Sequence, residues 1–286
     1  MSTNKIALRS VEQFMSDYSP VYQPIYPLFL GKSQQYASEV GKLDFRRVQT
    51  VGDIRAKHLT PKDTEIRQVA VMEGKKTFKK YFLANQFQLS QYQDRQGVEE
   101  VVAQVLDEHQ VQADELFMLG EGTSNGNMLN NGLFHSADSN YTLEASSEIP
   151  TTNRLHEFFT RVTSTASKAD QVAGRKVICF YGNTKPLLRS LFPNSDTLVK
   201  SALSEALGQN YSIVEIPDAP TPSAQNGWIV ANLDQTKLHY TALPQLLDQG
   251  DNREKMYLWF NFMMGSMMLE VLAKDGIIRQ PTTLAV

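Results

Sequence analysis

Apolar residues recur at helical spacing between residues 95 and 119, and this pattern predicts one long amphipathic helix. Its apolar stripe consists of Val98, Val101, Val102, Val105, Ala113, Leu116 and Phe117. Residues three and four apart share one face of a helix, so this stripe faces a core. At about 1.5 Å per residue, a helix over these positions is roughly 37 Å long. Gly120 and Gly122 follow it and are typical of a C-terminal stop.

Residues 43–90 have the composition of extended structure. Residues 43–51, 66–72 and 77–89 predict three strands, and a turn at residues 73–75 joins the last two into a hairpin. The polar connection after residue 51 contains Gly52 and Pro61. It predicts a long exposed loop, a kind of segment that is usually functional or mobile in compact domains.

The remainder of the chain mixes helix and strand periods. A second helix is predicted by an apolar face at Leu155, Phe158, Phe159, Val162 and Ala166, capped by Thr152 or Asn153. Strands are predicted at 175–181, 211–216, 228–233 and 237–243, short helices at 186–192 and 196–207, and terminal sheet at 256–264, 267–272 and 276–279. The predicted fold class is α+β.

The first 42 residues predict an arm. Pro20, Pro24 and Pro27 block a regular helix. They alternate with the aromatic residues Tyr18, Tyr22, Tyr26 and Phe29. Aromatic side chains on an extended arm need an apolar surface, which is either the arm's own domain or another subunit.

Charge is distributed unevenly along the 286 residues, whose net charge is −3. Residues 43–90 contain ten bases and five acids, a net charge of +5, whereas residues from 91 onward contain 14 bases and 23 acids, a net charge of −9. A basic segment on an acidic body predicts binding either to nucleic acid or to the body of a neighbouring copy, and a solvated hairpin is the third interpretation.

The sequence predicts no catalytic site, cofactor or metal. The five histidines are scattered without metal-ligand spacing, and His109 near the apolar stripe predicts a structural histidine with satisfied hydrogen bonds. Cys179 lies in a predicted buried strand. The glycine loop at 120–126 follows a helix, whereas phosphate-binding loops follow a strand and begin a helix. Adjacent acids such as Asp114 and Glu115 diverge on a helix, which predicts a solvated or intersubunit face.

No signal peptide is expected, because the N-terminus lacks an apolar core. No membrane partner is expected either, because no run of about 18 apolar residues exists. The apolar stretch 259–272, interrupted by Gly265, predicts a core strand pair.

The order of these parts resembles a known family. An arm, a basic extended hairpin, a long helix, a glycine loop, an α/β region and a terminal sheet resemble the tailed-phage major capsid proteins of the Hong Kong 97-type fold, in the compact branch shared with encapsulin shells. The similar stretches are residues 81–92, residues 113–122, residues 127–133, which look like the family's glycine–leucine–asparagine loop, and residues 262–279, which look like its closing strand pair.

This resemblance implies an architecture. Residues 1–42 are the N-terminal arm and residues 43–93 an extended loop lying across a neighbouring subunit. Residues 94–172 and 244–286 form a peripheral domain with a long spine helix, and residues 173–243 form an α/β axial domain. It also implies partners: other copies in pentamers and hexamers, portal, scaffolding and decoration proteins, and non-specifically packaged DNA. The expected location is the virion capsid, assembled in the host cytoplasm.

Within this architecture, oppositely charged residues of the loop and the spine helix are expected to meet between subunits. They are Arg46, Arg47, Lys57, Lys62, Lys75, Lys76, Lys79 and Lys80 on the loop, and Glu99, Glu100, Asp107 and Glu108 on the helix. The predicted function is a self-assembling icosahedral shell around a double-stranded DNA phage genome. The alternatives are an encapsulin-like nanocompartment shell and a soluble nucleic-acid-binding protein that uses residues 43–90.

Overall fold

A computed structural model describes a large part of the chain, in segments separated by gaps. The segments are residues 22–37, 41–51, 70–80, 82–90, 95–124, 127–134, 147–149, 154–182, 210–216, 226–252, 257–272 and 276–284, with residues 136, 184, 203, 205, 207 and 208. Within these residues the chain forms one 3-10 helix, two long α-helices and fifteen strands, an α+β fold as predicted.

The elements of the first half are the 3-10 helix Tyr26–Lys32, β1 (Ser33–Gln35), β2 (Gly41–Val51), β3 (Ala70–Lys80), β4 (Phe82–Ser90), α1 (Arg95–Leu119), β5 (Glu121–Ser124), β6 (Asn127–Asn130) and β7 (Ser147–Ile149). Those of the second half are α2 (Arg154–Ala169), β8 (Lys176–Tyr181), β9 (Tyr211–Glu215), β10 (Gly227–Asn232), β11 (Thr236–Tyr240), β12 (Gln245–Asn252), β13 (Tyr257–Gly265), β14 (Met267–Val271) and β15 (Ile277–Leu284).

The largest sheet has the strand order β7-β15-β10-β8-β9. Every residue of its central strands β8 and β10 is buried. Helix α2 covers one face, where Phe158 packs 5.5 Å from Trp228 and 5.7 Å from Phe180 between ring centroids. The second helix is therefore confirmed, and Phe158, Val162 and Ala166 of its predicted apolar face are buried. The sheet joins strands on both sides of the expected boundary between residues 243 and 244.

A second sheet, of order β12-β13-β4, packs against α1. Val102 and Leu106 of the helix lie in one buried cluster with Leu246, Phe260 and Phe262 of the sheet. Helix α1 has the predicted bounds. It ends where Gly120 adopts a left-handed φ of 76°, and the Gly120 amide donates to the Leu116 carbonyl at 2.9 Å.

The prediction of a core strand pair within residues 259–272 is half right. Both segments are strands, but β13 pairs with β12 and β4, whereas β14 joins the sheet β1-β11-β14. The chain changes sheets at Gly265 and Ser266. The backbone is held there by bonds from Gly265 to Ala242 at 2.8 Å and from Thr241 to Ser266 at 3.2 Å. A Cβ at Gly265 would lie 1.9 Å from the Thr241 hydroxyl oxygen, so this crossing requires glycine.

The predicted turn at residues 73–75 is wrong. Strand β3 runs through Gly74 without interruption, and β2 pairs with it antiparallel along its whole length, from Gly41 opposite Lys80 to Val51 opposite Ala70. An interior glycine costs a strand only about 0.5–1 kcal/mol, which the continuous ladder outweighs. The hairpin therefore consists of β2 and β3, and its connection is residues 52–69.

Some predictions fall outside the described residues. The short helix at 186–192 and the cap at residues 152–153 lie there. Of the helix at 196–207, Leu203, Glu205 and Leu207 are described and are helical, and Gly208 follows with a φ of 83°. No helix among the described residues is long and apolar enough to cross a membrane.

Candidate assembly surface

The hairpin β2–β3 concentrates positive charge on two strands. Arg46 lies opposite Lys75, and Lys42 lies opposite Lys79. Lys80 is paired with Gly41 at the start of β2. Like charges at directly opposed positions destabilise a sheet. Bases therefore occupy directly opposed register positions in the ribbon, a pattern that acidic groups from outside it would complement.

The root of the hairpin is fixed to the body by Phe78, which is fully buried. Its ring centroid lies 5.5 Å from that of Tyr36 and 6.2 Å from that of His239. Tyr36 follows β1, and His239 belongs to β11. Three separate stretches of chain therefore meet at the root, and burial of an aromatic ring there stabilises the attachment of the ribbon.

Polar contacts fix the two rings that receive Phe78. The Tyr36 hydroxyl oxygen lies 2.8 Å from Nδ1 of His239, and Nε2 of His239 lies 2.9 Å from a carboxylate oxygen of Glu270. Because both ring nitrogens have partners, the imidazole has a defined orientation against the Tyr36 ring, 5.7 Å away. This chain of contacts joins β14 through β11 to the residues before the hairpin.

A buried asparagine holds the other side of the root. The Asn130 side chain accepts from the Lys79 amide at 2.9 Å and donates to the Lys79 carbonyl at 2.9 Å. It also donates to Glu121 Oε2 at 3.0 Å. The side-chain amide of Asn130 therefore makes the two backbone hydrogen bonds that a neighbouring strand would make with Lys79 of β3. Burial raises the pKa of Glu121, while the charge of Lys79 lowers it.

The glycine loop after α1 serves to place Asn130. Residues 121–124 and 127–130 form the small antiparallel pair β5–β6, with Glu121 opposite Asn130. Gly132 then passes so close to the end of α1 that a Cβ on it would lie 2.2 Å from the Gly120 nitrogen. Besides the C-terminal stop expected from Gly120, this loop therefore brings Asn130 to the hairpin root.

Helix α1 presents a polar row away from its core. Glu100, Gln104, Glu108 and Gln112 are exposed and recur every fourth residue. Asp107 is half-buried beside this row, and Glu99 lies in the helix, its side chain outside the described residues. Of the four predicted contact acids, Glu100 and Glu108 are thus on the exposed side of the helix.

Asp114 contradicts the prediction of a solvated or intersubunit position. It is fully buried, and its carboxylate accepts from the Ile25 amide at 2.8 Å, the Tyr26 amide at 3.0 Å and the Tyr22 hydroxyl at 2.9 Å. The 3-10 helix at 26–32 has no capping side chain of its own. Asp114 supplies the missing acceptor from 88 residues away. Burial raises its pKa, and these hydrogen bonds oppose that rise.

The arm from residue 22 onward packs on its own chain. Ile25, Tyr26 and Phe29 belong to the central buried cluster, and the ring of Phe29 lies 4.8 Å from that of Phe117 in α1. Strand β1 then pairs in parallel with β11. Of the two alternatives for the arm's aromatic residues, its own domain is the one found for Tyr26 and Phe29.

The other predicted contact residues lie along the ribbon. Arg46, Arg47, Lys75 and Lys76 occupy ladder positions beyond the root, whereas Lys79 and Lys80 are half-buried at it. Lys57 and Lys62 lie outside the described residues. Sequence reasoning missed the root residues Phe78, Asn130 and His239. Their spacing has no local pattern, because their partners are distant in sequence.

Cys179 and His109, the two residues considered as candidates for chemistry, are both buried in the fold. Cys179 is buried in β8, and burial raises the pKa of its thiol to about 12. His109 is buried with its ring edge against Phe262, and burial lowers its pKa. Its Nδ1 has no hydrogen-bond partner among the described residues, so the expectation of satisfied hydrogen bonds is wrong. The described part of the chain contains no group of side chains arranged to hold a metal ion.

Solved structures of phage capsids are similar to this chain. The capsid of Myoviridae phage XM1 matches with a TM-score of 0.57 and 12% identity, over 87% of this chain and 87% of that one. The mature capsid of bacteriophage PhiM1 matches with a TM-score of 0.54 and 12% identity, over 93% of this chain and 89% of that one. This chain has the phage capsid fold.

The capsid of a native GTA particle is similar as well, with a TM-score of 0.53 and 13% identity over 99% of this chain and 94% of that one. No family model and no curated protein sequence matches the chain. The capsid fold is therefore recognisable from the path of the backbone, at a level of identity where sequence comparison finds nothing.

Proposed function

We propose that this chain is a major capsid protein that assembles into the icosahedral shell of a double-stranded DNA phage. One observation carries the proposal: a basic two-stranded ribbon leaves the body of a chain with the capsid fold. Its main contact with other described strands is with β6, at its root.

A ribbon of this kind needs a second surface. An isolated two-stranded hairpin is at best marginally stable in water, since it has no sheet face to bury. Here each strand has 11 residues, and like charges oppose each other across the pair. A neighbouring copy would supply both the apolar cover and the acidic groups, because residues from 91 onward have a net charge of −9.

The proposal assigns a role to each region. Residues 1–42 are the arm, residues 43–93 the extended loop over a neighbour, residues 94–172 and 244–286 the peripheral domain with α1 as its spine helix, and residues 173–243 the axial domain. Charge complementarity between loop and body sets the orientation and rate of association. Each contact is weak, and a closed shell makes many of them at once.

The same proposal names the partners and the location. Copies of the chain form the pentamers and hexamers of the shell. Portal, scaffolding and decoration proteins bind this shell, and packaged DNA contacts it without sequence preference. It resides in the virion capsid after assembly in the host cytoplasm. No step of this role requires a catalytic group, a cofactor or a metal.

Electron microscopy and sedimentation of the purified full chain test the proposal. Closed particles of uniform diameter, built from this chain, are the expected result. A chain that stays monomeric under all assembly conditions, including in the presence of phage DNA and scaffolding protein, would contradict it.

The basic ribbon also favours a second candidate, a nucleic-acid-binding protein. Affinity for DNA that falls steeply with salt, and that is lost when Lys75, Lys76, Lys79 and Lys80 are neutralised, would support it if no particles form. Particles that enclose a protein cargo and exclude DNA would instead indicate an encapsulin-like shell.

A further inference from the structure

One histidine interrupts the apolar stripe of α1. Buried side chains recur along one side of the helix at spacings of three and four residues, at Val102, Leu106, His109, Ala113 and Phe117. All of these except His109 are apolar. The first two pack in the cluster with the sheet β12-β13-β4, and the last two pack in the central cluster. His109 therefore lies between the two clusters, on the core side of the helix.

The ring of His109 packs against an aromatic side chain of the sheet. The residue is only 5% exposed, and its ring centroid lies 5.7 Å from that of Phe262 in β13, at an interplanar angle of 65°. Its Nδ1 is completely buried and has no hydrogen-bond partner within the described part of the chain. Buried polar atoms in proteins are nearly always hydrogen-bonded, so this one is an exception that affects the charge state of the ring.

The position suits a neutral imidazole and disfavours a charged one. In the neutral ring one nitrogen has no proton, whereas both nitrogens are donors in the cation. Protonation of His109 would therefore place a cationic N–H at Nδ1 in an apolar contact without an acceptor, which costs desolvation free energy. Burial accordingly lowers the pKa of His109 below its ordinary value of 6.5, and the charge of the adjacent Glu108 opposes this shift.

The sheet that covers His109 brings no nearby counter-charge. Strands β4 and β13 contain no Asp, Glu, Lys, Arg or His, and their one titratable side chain is that of Tyr257, at the start of β13. In β12, Asp248 is paired with Asn261, so by register it belongs to the face opposite to that of Phe262. Asp251 is paired with Leu258, four residues from Phe262, which is about 13 Å along the strand.

The ionisable groups of the other elements packed on α1 have partners elsewhere. In β14, Glu270 contacts Nε2 of His239 at 2.9 Å. In the 3-10 helix, the Tyr26 hydroxyl donates to Gln110 Oε1 at 2.6 Å, and the Lys32 ammonium donates to the Asp234 carbonyl.

Within α1 itself, Asp114 accepts its hydrogen bonds from the arm. Glu108 is exposed, and Asp107 and Glu115 are half-buried. Since His109 projects to the core side of the helix, none of these acids is hydrogen-bonded to its Nδ1.

We infer that His109 makes the packing of α1 on the sheet β12-β13-β4 sensitive to acid: the neutral ring holds the helix against Phe262, and protonation of the ring loosens this contact. The inference does not depend on the proposed capsid function. It bears on both attachments of the fold, because α1 binds the arm through Asp114 and ends at the loop that brings Asn130 to the hairpin root.

The sign of the pH dependence follows from the lowered pKa of His109. A base whose pKa is lower in the folded than in the unfolded state contributes stability that is fully present above the unfolded value, here 6.5. That contribution is lost as pH falls through the folded pKa. Acidification through the histidine range therefore weakens the contact, and alkaline solution leaves it unchanged.

Substitutions at one position, with one control on the same helix, test the inference. His109→Leu replaces the ring by an apolar side chain that does not titrate, and His109→Gln replaces it by a polar one that does not titrate either. The matched control is the double variant His109→Leu with Gln112→His. It returns a histidine to α1 at an exposed position, where burial does not disfavour its charge.

Hydrogen exchange of the full chain, measured by mass spectrometry at about pH 8 and about pH 5 and corrected for intrinsic rates, reports the opening of each element. For the wild type we expect the opening of α1 and β13, relative to that of β8 and β10, to rise about tenfold on acidification. For His109→Leu, His109→Gln and the double variant we expect a change of less than about twofold.

Each contrary result overturns the inference for a stated reason. Wild-type exchange in α1 and β13 that does not respond to acid overturns it without any variant. An acid response that persists in His109→Leu or His109→Gln shows that another group titrates. A response restored by the exposed histidine of the double variant attributes the effect to charge on the helix rather than to the buried ring.

Discussion

The arm and the hairpin are each hydrogen-bonded by a buried polar side chain of the body, and they differ in what else attaches them. Asp114 accepts three hydrogen bonds from the arm, and Asn130 makes two with the backbone of Lys79 at the hairpin root. Beyond Asp114, the arm also buries Tyr26 and Phe29 in the central cluster. The hairpin buries Phe78 at its root.

This difference separates folding from assembly. The arm contributes apolar area to the core of its own subunit, so it folds with that subunit. The hairpin contacts other described strands mainly at its root, so most of its stabilisation must come from a partner. Changes at Asp114 should therefore reduce the stability of the subunit, and changes along the ribbon should reduce association.

The largest effect is expected from Asp114→Ala. It leaves the Ile25 and Tyr26 amides and the Tyr22 hydroxyl without an acceptor, which lowers the free energy of unfolding by about 4 kcal/mol. Chemical denaturation of the monomeric subunit measures it. Glu115→Ala is the matched control, because this half-buried neighbour should change stability by about 0.5 kcal/mol or less. Equal effects at both positions would show that the arm is not held by Asp114.

Phe78→Ala tests whether the hairpin is attached independently of the core. Removal of this buried ring should cost about 3 kcal/mol. We expect the loss to be local, because Phe78 packs on Tyr36 and His239 at the root. Hydrogen exchange should accelerate in β2 and β3 and stay unchanged in β8 and β10. Uniform acceleration throughout the subunit would instead place the root within the main folding unit.

Asn130→Asp should cost about 2 kcal/mol, because a carboxylate retains the acceptor for the Lys79 amide but loses both donor contacts. The new charge also faces the carboxylate of Glu121, which raises the carboxyl pKa values in the folded state. A raised folded pKa means stability that is present at low pH and lost as pH rises. Unfolding measured across the carboxylate range should thus show a deficit that grows with pH. Asn131→Asp provides the control, and a deficit independent of pH would contradict the role of Glu121.

Tyr22→Phe is expected to have the smallest effect, about 1 kcal/mol at neutral pH, since it removes one hydrogen bond to Asp114. Burial, and then the charge of Asp114, raise the pKa of Tyr22 above its ordinary value of 10.0. The stability that this hydroxyl contributes is complete below that value and is lost as pH rises through the higher folded pKa. The difference between wild type and variant should therefore shrink in alkaline solution, and a constant difference would argue against the Tyr22–Asp114 bond.

Local patterns in the sequence predicted the regular elements well. The apolar stripe predicted the bounds of α1 correctly, because a 3.6-residue period identifies a helix even when the surface it packs against is unknown. The turn predicted at Gly74 was wrong, because glycine is found both in turns and at positions of close backbone approach within strands. The exposed position predicted for Asp114 was wrong for a related reason. Its neighbours in sequence indicate a polar face, whereas its burial depends on an arm 88 residues away.

The sequence by itself determined the α+β pattern, the long helix and the separation of a basic segment from an acidic body. Each of these follows from residue type and short-range period, which are properties of the chain alone. The tertiary structure decided which sheet each strand joins, that Asp114 and Asn130 bind the arm and the hairpin root, and that β2 pairs with β3 without a break at Gly74. Those features depend on contacts between residues far apart in sequence and on strand register, where a shift of one residue exchanges the faces.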